Sequence, residues 1–324
     1  MKELNMPAAN APAAATHARR NYLIALGIMV VAMIAAPFFL YPVFLMKVLA
    51  FALFACAFNL LFGYTGIMSF GHAAFFGTGS YVVAWTMHRW GLTPELALLA
   101  ALAGGALIGL VFGVIAIRRQ GLYFAMVTLA LAQLLYFVFL QAPFTEGENG
   151  IHMKGRGSVF GVISIESDLA AYCFVSVVFL LSFMLIVRTV HSPFGQVLKA
   201  TRDNEARVLS LGYQVNRYKL IAFVLSSALA AVAGGLKAVA LGLATLHDVH
   251  FATSGDVVLM TLLGGLGTLF GPVIGAVVAT SMWEFLSRFG SWVTFLQGLI
   301  LVLCVVLFRR GIVGELAARL HIKL

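Results

Sequence analysis

Long runs without a charged residue constrain this chain more than anything else in its sequence. Tyr22 to Leu40 and Leu96 to Ile117 contain no Asp, Glu, Lys or Arg. A helix rises about 1.5 Å per residue, so about 20 such residues cross the roughly 30 Å hydrocarbon core of a bilayer. Predominantly apolar runs of comparable length follow at 43–62, 67–87, 121–141, 169–187, 220–242 and 292–308. The stretch from Val257 to Trp283 is also uncharged, but its glycines and Pro272 argue against one straight helix. The expectation is an all-α, polytopic transmembrane helix bundle with about eight full spans plus one broken or re-entrant segment.

Composition closes off the soluble alternatives. Of the 324 residues 62% are hydrophobic and 10% charged, too few charges to cover a soluble domain. The first apolar run is longer than the roughly 7–15-residue core of a cleaved leader, so it reads as a span. With the N-terminus in the cytoplasm and sides alternating at each span, most Lys and Arg fall inside and most Asp and Glu outside, as the positive-inside rule requires. The net charge of +9 therefore reports topology, and no basic patch with interleaved aromatics points to nucleic acid. This placement gives a mobile cytoplasmic tail over 1–20 and a transmembrane domain over 21–310. Within the domain, 142–168 is an external loop, a short hairpin or a lid, and 191–218 is cytoplasmic. A cytoplasmic C-terminal tail covers 311–324.

The cytoplasmic segment has its own helix signals. Ser192 is a candidate N-cap with Pro193 at the first helical position, Phe194 to Leu211 shows helical spacing, and Gly212 is a plausible stop. Within the spans, glycines recur every four residues at 105, 109, 113 and at 267, 271, 275, a spacing that lets helices approach closely in lipid. Regular helix is interrupted twice: by Gly63-Tyr64-Thr65-Gly66 with Ser69, Gly71 and His72, and by Gly264, Gly265 and Gly267 through Gly271-Pro272. Broken backbone at membrane depth survives only inside protein or beside a wet cavity, so these breaks favour a conduit over an anchor.

Four blocks, in order, carry a resemblance. Asn59 to Gly77 (Asn-Leu-Leu-Phe-Gly-Tyr-Thr-Gly-Ile-Met-Ser-Phe-Gly-His-Ala-Ala-Phe-Phe-Gly) resembles the signature of the branched-chain amino-acid ABC permease family, LivM type. Gly121 to Ala130, then Ser192-Pro-Phe-Gly with Arg202 to Arg207 and Leu211-Gly-Tyr213, then Leu263 to Ala276, are similar to its other blocks. Lys237 departs from the pattern, which has an aromatic residue after Ala-Gly-Gly-Leu.

The resemblance implies a subunit of an ATP-driven importer in the bacterial inner membrane, both termini cytoplasmic. It implies a homologous second permease, two ATP-binding-cassette subunits and a periplasmic or extracellular solute-binding protein as partners, besides membrane lipid. It also implies that Ser192, Pro193, Phe194, Gly195, Arg202, Asp203, Asn204, Glu205 and Gly212 couple to the ATPase. Gly63, Tyr64, Thr65, Gly66, Ser69, Gly71, His72, Gly264, Gly265, Gly267, Gly271 and Pro272 would line or hinge the path. No G-x-x-x-x-G-K-[ST] occurs, so no cofactor is expected on this chain, and ATP with Mg²⁺ falls to the partners. A urea or short-amide permease of the same family is the alternative.

Individual residues have plainer readings. His72 is expected to be satisfied by backbone carbonyls at its break, and Lys237 to snorkel toward the outer interface. His247, Asp248 and His250 have a loosely metal-like spacing without further ligands, so no metal site is expected. Glu284, beside Trp283 and Arg288, fits an interfacial girdle. Cys56, Cys173 and Cys304 read as small buried hydrophobes. An ion-coupled transporter would need carboxylates inside the clear spans, and an enzyme would need clustered acid, base or metal ligands; neither pattern is visible.

Overall fold

The computed structural model describes residues 24–119, 121–292, 295–296, 298–300, 302 and 311–319. They form α1 (Ile24–Phe38), α2 (Pro42–Thr65), α3 (His72–Trp90), α4 (Pro94–Ala116), α5 (Leu122–Gln141) and α6 (Asp168–His191). After these come α7 (Pro193–Asp203), α8 (Glu205–Ser210), α9 (Val215–Leu241), α10 (Phe251–Gly264), α11 (Gly271–Leu286) and α12 (Gly311–Arg319). Two short antiparallel pairs complete the description: β1 (Ile151–His152) with β4 (Leu243–Ala244), and the hairpin β2 (Ser158–Val159) with β3 (Ile163–Ser164). The chain is a polytopic helical membrane protein.

Helix α2 defines the two ends of the bundle. At its start, Tyr41 Oη donates to Asp168 at 3.1 Å; at its finish, the Gly63 carbonyl accepts from Arg202 at 2.6 Å. Its 24 residues cover about 36 Å, a full bilayer crossing. Among the described residues five helices, α2, α4, α5, α6 and α9, are long and apolar enough to span, while α1, α10 and α11 are shorter apolar helices. The tail 1–20 lies outside the described residues, and so does most of the expected span 292–308.

Burial separates centre from rim. In α2 and α9 the most apolar stretch is 78% buried; in α4, α5 and α6 it is 33% or less. The rim helices turn Leu99, Leu107, Leu134, Phe137 and Leu181 outward, toward lipid. Cys173 is exposed on that rim, contrary to the expectation, whereas Cys56 is buried as expected; Cys304 lies outside the described residues. Helix α3 is central too. It begins at His72, not at Ile67, because Gly66 closes α2 in a left-handed cap (φ 75°) and the chain must turn before a new helix starts.

Close backbone contact holds the centre together. A Cβ on Gly79 would meet the Ala231 backbone, one on Gly109 the Ser227 side chain, and one on Gly234 the Phe76 carbonyl. The row Gly105, Gly109, Gly113 packs on α9 as its spacing implies. The second row does not survive as a row: Gly267 lies in a loop, and only Gly271 and Gly275 belong to α11, where they seat it on Gly264 and Met260 of α10. Gly79→Ala is expected to destabilise the protein by about 1–3 kcal/mol, since overpacking cannot be relieved by moving a side chain. Gly104→Ala, whose Cβ would find only Val82 at 3.7 Å, should be neutral or slightly stabilising. Thermal unfolding in detergent measures both.

Residues 243–286 form the re-entrant element. Helix α9 finishes at the Asp168 end, where Arg156 donates to the Ala240 carbonyl (3.1 Å) and β4 pairs with β1. The chain then drops into the bundle: Val249 sits against Gly77, and Ser254 Oγ accepts from Ala73 N at 2.9 Å. Helix α10 carries it to the Arg202 end, and α11 returns it, placing Glu284 at 3.6 Å from Lys47 near the start of α2. The segment enters and leaves by one end, as a re-entrant element does.

Candidate functional site

The corner between α6 and α9 is built by caps. Ser192 Oγ accepts from Gly195 N at 3.3 Å, with Pro193 in the first turn of α7. Gly195 has no room for a Cβ beside the Thr189 and Val190 carbonyls, and Phe194 stacks on Tyr218 at 5.7 Å. The helical pattern from Phe194 to Leu211 is not continuous. Asn204 is extended and its Oδ1 caps Arg207 N at 3.0 Å, so α8 starts afresh. Gly212, at φ 85°, lets the chain turn out of α8 toward α9.

One guanidinium joins this corner to both glycine-rich breaks. Arg202 Nη1 donates to the Gly63 carbonyl at 2.6 Å, while Nη2 meets Asp203 at 3.2 Å. A Cβ on Gly66 would lie 3.1 Å from Arg202 Cγ, and one on Gly267 would lie 3.0 Å from its Nη1. A Cβ at either place would crowd the arginine, and both glycines hold a positive φ (75° and 74°) that side chains rarely adopt. A turn before Gly63, Asn59 completes the tie: its Oδ1 accepts from Gly267 N (3.0 Å) and its Nδ2 donates to the Thr268 carbonyl (2.8 Å). Thr268 in turn bonds Gly265 and Gly271 within the loop between α10 and α11. Lys199 lies over the Tyr64 ring at 5.6 Å, and desolvation, then neighbouring Arg202, lower its pKa.

Several expected path residues have other positions. Gly63, Tyr64 and Thr65 do not break a helix; they are its last turn, and Gly63 is there because Asn59 and Gly267 press against it. The break itself is Gly66 to Gly71. Ser69 Oγ accepts from Gly71 N at 3.3 Å, and Gly71 lets the α5 backbone at Thr128 pass. His72 bonds a side chain, not backbone carbonyls, and through one ring nitrogen only: its Nδ1 is buried with no hydrogen-bond partner among the described residues. Ser226 Oγ spends its proton on the Ala57 carbonyl (2.5 Å) and so accepts from His72 Nε2 at 2.8 Å. Phe58, Phe75 and Phe223 box the ring edge-on. Gly264 meets Gly271 and Pro272 backbone to backbone where α10 and α11 pack, and Gly265 (φ 119°) turns between them.

Glu205 also faces inward. It holds the buried Lys219 at 2.7 Å and locks α8 onto α9. What the corner turns outward is Leu209, Leu211 and Tyr213, beside Arg207 and Arg217. Large apolar groups exposed among charges beyond the spans mark a contact surface. On the inner side of the corner a cleft of about 520 Å³ separates it from the α4–α5 connection at Arg119 and Gly121. Lys237 does not snorkel: it is buried and paired with Asp248 at 2.8 Å. Among the described residues no group of three His, Cys, Asp or Glu could hold a metal.

A membrane bundle whose extramembrane corner reaches into two glycine-rich loops invites comparison with known transporters. Residues 40–305 match the family described as branched-chain amino acid transport system / permease component. The chain belongs to this family. It is 27% identical over 288 residues to the high-affinity branched-chain amino acid transport system permease protein LivM of Salmonella typhimurium, covering 82% of this chain and 68% of that one. LivM of Escherichia coli K12 gives 27% over 293 residues with the same coverage. The corresponding LivH protein of E. coli K12 gives 24% over 288 residues, 82% of this chain and 91% of that one. No solved structure matches the chain significantly. The protein is a permease subunit of an ABC importer.

Proposed function

We propose that this permease moves branched-chain or related amino acids across the inner membrane, with its Arg202 end and both termini cytoplasmic. ATP and Mg²⁺ are bound by two cassette subunits, and a solute-binding protein delivers cargo at the Asp168 end. Similarity to both LivM and LivH relatives supports a homologous second permease as partner. The carrying observation is the double tie of Arg202 and Asn59, which makes the corner, the end of α2 and the α10–α11 loop one mechanical unit. Cassette closure pushes on Leu209, Leu211 and Tyr213; the tie transmits the push to the Gly66–Gly71 and Gly265–Phe270 loops, which hinge during alternating access. The external loop and its β2–β3 hairpin lie at the entry side.

Purification of the chain from its native membrane tests the docking surface. Leu211→Glu should lower co-purification of the cassette subunit about fivefold or more, the size expected for one apolar anchor. Glu205→Arg is a poorer probe, because it would place an arginine against buried Lys219 and disturb the corner itself. A chain that purifies alone and moves solute down an ion gradient would refute the reading.

A further inference from the structure

Away from the Arg202 corner, the bundle holds a pair of opposite charges that coupling does not use. Lys237 Nζ lies 2.8 Å from Asp248 Oδ2, with the two side chains 8% and 5% exposed. The same carboxylate oxygen accepts from Ser80 Oγ at 3.0 Å and from Thr245 N at 3.1 Å, and Lys237 Nζ lies 3.5 Å from the Leu243 carbonyl. Three elements thus converge: α9, α3 and the chain entering the bundle before α10. Ionisable groups held inside a membrane protein are costly and mark function, and stability alone does not require them, since a well-packed apolar pair serves as well.

The surroundings suit a particular ligand. Next to Ser80, the Tyr81 hydroxyl is buried without a hydrogen-bond partner. Tyr81 also lines a cavity of about 440 Å³ with Trp85, Phe139, Phe144 and Ile151. Leu246 and Val249, which flank Asp248, pack in the same apolar cluster as Tyr81, Phe139 and Ile151. Tyr81 connects the two features: it lines the cavity and packs with the residues that flank Asp248, although neither Lys237 nor Asp248 lines the cavity itself.

We infer that Lys237 and Asp248 form a transit site for an apolar zwitterionic amino acid. The solute's α-carboxylate takes the place of Asp248 on Lys237, its α-ammonium takes the place of Lys237 on Asp248, and its side chain enters the aromatic cavity. Each charge trades one opposite partner for another, so no unpaired charge is buried at any stage. A neutral amide offers neither charge and cannot part the pair, while a simple cation or anion would strand one member. Ser80 and Thr245 N hold the carboxylate in place during the exchange. The site rests on the amino-acid reading above.

The test is ATP-driven leucine uptake into proteoliposomes holding the whole transporter, normalised to assembled complex. The double variant Lys237→Met with Asp248→Leu should lose about tenfold or more. The exchange variant Lys237→Asp with Asp248→Lys restores a buried pair but reverses its polarity, and uptake should stay equally low. Uptake within about twofold of wild type in either variant would overturn the site in favour of a structural pin. Should neither assemble, Ser80→Ala leaves the ion pair intact and should raise the KM for leucine about threefold or more with the maximal rate kept; an unchanged KM overturns the proposal. Wild-type transport of urea without leucine would bring down the amino-acid reading and the site together, whereas leucine uptake indifferent to all three variants would bring down the site alone.

Discussion

Arg202→Ala should cut solute uptake per ATP hydrolysed by about tenfold or more while ATP hydrolysis continues. The side chain donates to the Gly63 carbonyl at 2.6 Å, a charge-assisted bond worth about 1.5–3 kcal/mol. Its contact with Asp203 matters little, because that pair is exposed. Alanine keeps α7 helical and leaves Leu209, Leu211 and Tyr213 in place, so cassette docking survives. What is lost is the mechanical link to the two loops. Arg202→Lys should recover only part of it, since one ammonium cannot copy the guanidinium that fills the space between Gly66 and Gly267. Asn59→Ala should uncouple in the same direction, and Arg207→Ala, outside the tie, should not. Hydrolysis and uptake measured in the same proteoliposomes separate the cases. An equal fall in both means docking was lost, and an unchanged ratio means the tie transmits nothing.

Asp248→Leu alone should destabilise the protein by about 3–5 kcal/mol, because it leaves the Lys237 ammonium buried and unpaired. Adding Lys237→Met should recover most of that loss, even though leucine uptake stays low. Thermal unfolding of the two variants beside wild type measures it. A single variant as stable as wild type would show that water or another group already satisfies Lys237, and the pair would then carry no energy of its own.

How much of this was legible in the sequence differs from element to element. The long apolar runs located α2, α4, α5, α6 and α9, because membrane crossing demands length and apolarity that composition displays directly. Ser192-Pro193 announced α7 for a local reason, the cap. Glycine spacing found the α4–α9 seam but misjudged Gly63 to Thr65, since a glycine that admits a neighbour looks the same in sequence as a glycine that turns the chain. Asn59 was passed over as a functional residue, although an amide one turn before Gly63 in an apolar span is a usable signal. The partnerships of Lys237 with Asp248, of Lys219 with Glu205 and of His72 with Ser226 depend on long-range contacts that no local pattern encodes. For that reason Lys237 read as a snorkelling residue and Glu205 as a docking one.

The re-entrant course of residues 243–286 bears on how the protein is made. Helix α10 has only 14 residues, and the chain leading into it carries the carboxylate of Asp248. Released by itself into lipid, that stretch would be too short to cross and would strand a charge. Its stable position exists only after α9 has delivered Lys237 and α3 has delivered Ser80 and the shelf at Gly77. Insertion of this protein should therefore be ordered in time, with the earlier spans placed first and residues 243–264 settling afterward into a berth that the finished helices have prepared.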